Sequence, residues 1–167
     1  MLKPIEIREL LTKSIPQLSK NPDKLLVYLD DGHIACRGTN SLSYQYTYRL
    51  NILLTDFAGH ADLVILPILI YLRTNQPELF ENHEKNKSVI NFEVDILNNE
   101  TVDLTLQIEL TERVRVVANN AGKLIASHLH EPEHPELPNH DYDIEIYDRP
   151  AGVKLGDISI SKWLPKF

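Results

Sequence analysis

The chain has 167 residues, of which 43% are hydrophobic and 25% charged, and its formal net charge is −7. That composition supports a packed core of ordinary domain size and argues against disorder throughout. An acidic chain lacks the clustered Lys and Arg that sequence-independent nucleic-acid binding requires, and an anionic membrane repels it.

Cys36 is the single cysteine, so no intramolecular disulfide is possible and paired zinc thiolates are absent. The opening MLKPIEIREL carries charge where a secretory signal would be apolar. The longest apolar run, residues 63–72, is about half of the roughly 20 residues a spanning helix needs. A soluble, cytoplasmic protein with no membrane partner is expected.

Pro4 suits the first turn of a helix, and Ile7, Leu10, Leu11, Ile15 and Leu18 recur at helical spacing. Pro16 should bend or end that helix. After a turn at Asn21-Pro22-Asp23, residues 25–30 read as a short strand. Asp31-Gly32 is a tight-turn dipeptide, with residues 33–38 as the returning strand. The clearest strand follows. Tyr44, Tyr46, Tyr48, Leu50 and Ile52 fall on one face, and Ser43, Gln45, Thr47, Arg49 and Asn51 on the other.

A polar loop, TDFAGHAD, leads to a helix that should run to about Asn75, before Pro77, with Asp62 as its N-cap. That helix is apolar nearly all round, with Leu63, Leu66 and Leu69 among its residues. It must be buried on most sides, in the core or at a subunit interface. Ile90, Phe92, Val94 and Ile96 then alternate with polar residues, as do Val102, Leu104, Leu106, Ile108 and Leu110. The two runs predict an antiparallel hairpin turning at Asn98-Asn99, with the second strand running on through Arg115. Asn119-Asn120-Ala121-Gly122 predicts another turn and residues 123–127 its return.

Residues 128–141 have three prolines and no periodicity, which predicts a linker. Alternation resumes over residues 142–163 and suggests a small hairpin with its tip at Pro150-Ala151-Gly152. The fold expected is α+β: a mostly antiparallel β-sheet with two helices packed on one face, plus a C-terminal β-hairpin arm. The divisions are a domain over residues 1–127, a Pro/His/Glu-rich linker over 128–141 and an arm over 142–167.

Three constellations have the residue types for chemistry. His128, His130, His134 and His140 lie among Glu131, Glu133 and Glu136, and imidazole with carboxylate suits zinc or another divalent metal. The prolines point instead to a solvated linker without a folded cage. Asp56, His60 and Asp62 could bind a metal or move protons, against the plainer reading of a loop and helix cap. Cys36 could be a nucleophile with His33 or His60, but no catalytic signature surrounds it and a small buried hydrophobe is the plainer reading. No phosphate-loop, dinucleotide, zinc-protease or nucleophile-elbow motif occurs. No enzyme activity, metal or cofactor is therefore expected. The Tyr44-Tyr46-Tyr48 stripe is either a recognition surface or one sheet face lying under a helix.

Several segments together resemble the tail completion protein R (GpR) family of P2-like contractile-tailed bacteriophages. They are NPDKL at 21–25, LSYQYTY at 42–48, DFAGHAD at 56–62, LRTNQPELF at 72–80, LTERV at 110–114 and SKW at 161–163. The resemblance spans residues 1–117 and is least evident over 128–160. It implies a structural protein that completes the head-proximal end of the tail, as a hexameric ring capping tube and sheath, before the head joins. The partners it implies are further copies of the chain, tail tube and sheath proteins, a second tail completion protein and head-neck proteins. The host cytoplasm would be the site of assembly and the virion tail the destination.

A ring needs two different surfaces on each subunit. The candidates are Tyr44, Tyr46 and Tyr48, the helix carrying Leu63, Leu66 and Leu69, and the C-terminal arm with Trp163, which could add a strand to a neighbour's sheet. Glu93, Asp95, Asp103 and Glu109 would suit a channel through which DNA slides without being bound. A neck or head-tail connector protein is the structural alternative, and a metal enzyme built on the histidine segment the catalytic one.

Overall fold

The computed structural model describes residues 1–36, 41–81, 86–98, 100–132, 140–148 and 150–161. Helix α1 covers Lys3–Ser14 and α2 Pro16–Lys20. Between them Ile15 adopts an extended conformation (ψ 110°), as a residue before proline is driven to do. Ile7, Leu11, Ile15 and Leu18 are all buried along one side of the pair.

Strand β1 spans Leu25–Cys36 and pairs antiparallel with β2, Tyr44–Phe57. The Asp31-Gly32 dipeptide is therefore not a hairpin turn but a bulge within one continuous strand. The register steps from Asp30 opposite Arg49 to His33 opposite Thr47, so two residues face Tyr48 alone. A two-residue turn of type I′ needs positive φ at both positions, and only Asp31 (φ 47°) has it. A second bulge lies near the end of β2, where Leu54 faces Leu104 but Phe57 faces Val102, with Asp56 at φ 49°.

Helix α3, Asp62–Asn75, is followed by the short α4, Glu78–Glu81. Strand β3, Asn91–Ile96, and the long β4, Val102–Ala118, form the expected hairpin. Strand β5, Leu124–Leu129, returns along the far half of β4. The strand order is β1-β2-β4-β3, all antiparallel, with β5 on the same side of β4 as β3.

Tyr48, Leu50, Ile52 and Leu54 of β2, with Leu104, Leu106, Ile108 and Leu110 of β4, form a buried face beneath Ile7, Leu11, Ile68 and Leu72 of the helices. Each such side chain contributes about 1.5–3 kcal/mol on leaving water. The opposite face is polar along the middle of β2 and β4 but carries exposed Leu26 and Tyr28 on β1 and Val117 and Ile125 beyond, and one of its polar residues is not wet. Asn51 is only 1% exposed, set between its register partners Tyr28 and Gln107, and its Oδ1 accepts from Gln107 Nε2 at 3.1 Å.

A hairpin of β6, Tyr142–Asp148, and β7, Val153–Ile160, forms a separate two-stranded sheet. Its Ile146, Ile158 and Ile160 are buried in the same core cluster as the helices, and β7 touches α1 and α3. The helices thus lie between a large sheet and a small one. That position accounts for a helix α3 that is apolar nearly all round. The two layers pack tightly at Gly156, where a Cβ would stand 2.9 Å from Leu63 Cδ1.

Candidate functional site

Two features stand apart from ordinary core packing: a buried polar cluster around Glu112, and apolar side chains left exposed at the edges of the large sheet. The cluster forms because Glu112 sits on the apolar parity of β4, between Leu110 and Val114. Its side chain therefore points among the helices, and it is 5% exposed. It lies at the N-terminus of α1, where free backbone amides favour an anion. Oε2 accepts from Leu2 N at 2.8 Å and Oε1 from Lys3 N at 3.3 Å. The Tyr48 hydroxyl donates to Oε1 at 2.5 Å, and His128 Nδ1 lies 3.2 Å from Oε2.

Lys3, also buried, extends the cluster to the end of α3. Its Nζ donates to Asn75 O at 2.6 Å and to Gln76 Oε1 at 2.5 Å. Burial pulls the Lys3 ammonium below its ordinary range, opposed by the charges of Glu131, Glu78, Glu112 and Glu6. Glu6 accepts from the Tyr71 hydroxyl at 2.5 Å. Burial raises the Glu6 carboxyl above its ordinary range, with the Tyr71 bond opposing. Burial, and then the Glu112 hydrogen bond and charge, push the Tyr48 phenol far up. The Tyr71 phenol rises through burial and the Glu6 charge. Both phenols therefore stay protonated and act as donors.

The tyrosine stripe divides along its length. Tyr48 is core; Tyr46 and Tyr44 are half-buried, with ring centroids 5.1 Å apart edge to face and hydroxyls 3.1 Å apart. Tyr46 stacks on His128 at 6.4 Å. The stripe and the start of the histidine tract, distant in sequence, thus meet at Glu112. His128 belongs to β5 rather than to a linker. His130 borders a cleft of about 10 Å³ beside Lys3, Glu6 and Glu112, room for about one water. Glu131 pairs with Arg113 at 2.8 Å, and His140 lies against Tyr142 at 4.0 Å between centroids. His134, Glu133, Glu136 and Trp163 lie outside the described residues. Among the described residues no group of three or more His, Cys, Asp or Glu side chains is placed to hold a metal ion.

The TDFAGHAD residues serve local structure. Gln17 spans the loop, donating to Asp56 O at 2.8 Å and accepting from Ala58 N at 3.1 Å. Asp103 accepts from Asp56 N at 2.8 Å. Asp62 does not cap α3, because it is already within the helix. His60 Nδ1 accepts from Asp62 N at 3.2 Å instead, which serves one of the free amides of the first turn. Cys36 is exposed rather than buried, since it ends an edge strand; its Sγ is 3.6 Å from Ser43 O.

On α3, Leu63 is buried, while Leu66 and Leu69 are half-buried on the flank. Strand β3 departs from the alternation read in its sequence. Phe92, Val94 and Ile96 share the apolar face of β4 but are 63%, 39% and 78% exposed, with no helix over them among the described residues. The sequence showed the alternation but not what lay above it. Glu112 and Lys3 escaped the sequence reading; a glutamate at an apolar-parity position was the signal for the first.

The chain matches the P2 phage tail completion protein R (GpR) family over residues 1–133. It is 36% identical over 163 residues to tail completion protein R of Escherichia phage P2, covering 98% of this chain and 99% of that one. The similarity therefore extends well past residue 117, through the C-terminal hairpin. No solved structure matches. Among the described residues no helix is long and apolar enough to cross a membrane. On these grounds the chain belongs to the phage tail completion protein R (GpR) family.

Proposed function

We propose that this protein completes the head-proximal end of a contractile phage tail. It does so as a hexameric ring that caps tube and sheath and makes the tail competent for head joining. The observation that carries this reading is similarity to tail completion protein R along nearly the full length of both chains. The chemistry of the fold agrees. Its buried polar cluster is occupied in tying α1 to the sheet and to α3, and its distinctive surfaces are apolar strand edges, as an assembly protein requires. The partners in this reading are further copies of the chain, the tail tube and sheath proteins, a second tail completion protein and head-neck proteins. DNA passes through the ring without being specifically bound.

Deleting the gene and imaging the particles by electron microscopy tests the reading. Normal heads beside unjoined tails that are overlong or sheath-defective are expected. Normal, joined particles would overturn it. Capture of portal-side proteins in place of tail tube protein by the purified chain would move the assignment to the neck.

A further inference from the structure

Among the described residues both edges of the large sheet are open, and they differ. At one edge, β3 carries an apolar ridge of Phe92, Val94 and Ile96 on the helix side of the sheet, 39–78% exposed. Such an edge is a template for pairing with another strand, and soluble proteins usually blunt it with lysine, proline or a covering segment. No lysine or proline interrupts β3, its charges Glu93 and Asp95 fall on the opposite face from the ridge, and among the described residues no helix covers it. At the other edge, an open groove of about 250 Å³ lies along β1 and β2, lined by the apolar Met1, Leu29, Ile34 and Tyr46 and also by Asp30 and His33. It too is on the helix side and mostly apolar. The Asp31-Gly32 bulge shapes it, because the glycine supplies no side chain at the groove wall.

We infer that the ridge of one copy seats in the groove of the next, joining β3 to the neighbour's β1 and continuing the sheet from subunit to subunit. The inference rests on the ring reading above and names the contact that builds the ring. Its occupant is a second copy because the two surfaces match in face, chemistry and strand direction. Across the antiparallel order β1-β2-β4-β3, β1 and β3 run in opposite directions. Two copies side by side with the same face inward therefore bring β3 and β1 together as an antiparallel pair. The ridge is opposite Val27 in the strand rows, through Phe92–Leu106–Ile52, while the groove lies further along β1. The offset is the stagger that closing a sheet requires. A contact between unlike surfaces is heterologous, so it propagates and closes only by rotation, as a ring must. Phe92 is the anchor, an aromatic side chain entering an apolar groove.

The test uses two full-length variants, each broken on one surface. Phe92 and Ile34 are 63% and 64% exposed, so Phe92→Asp and Ile34→Asp leave the fold intact, which circular dichroism confirms. By sedimentation velocity the wild-type chain forms a closed oligomer, and each variant alone is monomeric. An equimolar mixture forms a dimer and nothing larger, since each variant keeps the surface the other lacks. An Ile34→Asp chain that assembles like wild type would overturn the inference, as would a mixture that stays monomeric or a monomeric wild-type chain. A normal oligomer in both variants, with tails still left unjoined by the gene deletion, would remove this contact while leaving the tail completion reading in place.

Discussion

The Tyr48 hydroxyl donates to Glu112 Oε1 at 2.5 Å in the buried centre of the protein, and this one bond connects β2 to the carboxylate that also receives the first amides of α1. Glu112→Ala leaves those donors without an acceptor, whereas Tyr48→Phe removes one donor and keeps the ring. Hydrogen bonds to charged groups contribute about 1.5–3 kcal/mol, and an unsatisfied buried donor costs about 1–3 kcal/mol. Urea denaturation should show a loss of about 3 kcal/mol or more for Glu112→Ala and about 1.5 kcal/mol for Tyr48→Phe. Equal losses would mean that Glu112 does not organise the N-terminus of α1.

Glu6 gives stability a defined pH dependence. Burial holds its carboxyl above the ordinary value of 4.5, so the folded chain keeps a proton that the unfolded chain has released. The Glu6 contribution is full below pH 4.5 and falls as pH rises through the folded-state value. In Glu6→Gln that slope disappears while an acceptor for Tyr71 remains. Urea midpoints measured from pH 4 upward should therefore fall more steeply for wild type than for Glu6→Gln just above pH 4.5. Parallel profiles would contradict the burial of this carboxyl.

Lys3 acts with the opposite sign. Its ammonium is held below the ordinary value of 10.5 by burial, so the unfolded chain binds more protons between the folded-state value and 10.5. Its contribution to stability rises with pH across that window. Lys3→Met should remove the rise, measured as the alkaline limb of the same midpoint series.

The C-terminal hairpin is a packed layer, and removing it should be felt throughout. Ile146, Ile158 and Ile160 are buried against the helices, each contributing about 1.5–3 kcal/mol. Truncation after residue 140 should cost roughly 5 kcal/mol and expose the flank of α3, read as lost thermal stability and binding of a hydrophobic dye. A truncated chain as stable as the whole would mean the hairpin is a free arm. At the point of contact, Gly156→Val overfills the space beside Leu63 and should cost about 1–3 kcal/mol.

Much of the architecture was legible from alternation alone. The β2 tyrosine face, the β3–β4 hairpin and the turn at Asn119 follow from side-chain period and turn chemistry, and Asn119 Oδ1 indeed accepts from Ala121 N and Lys123 N. What alternation does not carry is depth. Phe92 and Leu106 are register partners on one face, yet one is exposed and the other buried, because only the second lies under a helix. Local turn chemistry misled at Asp31-Gly32, where tertiary pairing with β2 continued the strand through a dipeptide able to reverse it. The carboxylate cluster was hidden because Glu112, Lys3 and His128 are brought together only by the fold.

The most direct test of tail completion is to locate the chain in intact particles. Antibody-gold labelling of purified virions and of unjoined tails, viewed by electron microscopy, should place the label at the head-proximal end of every tail. Label along the sheath or at the baseplate end, or none at all, would contradict the account.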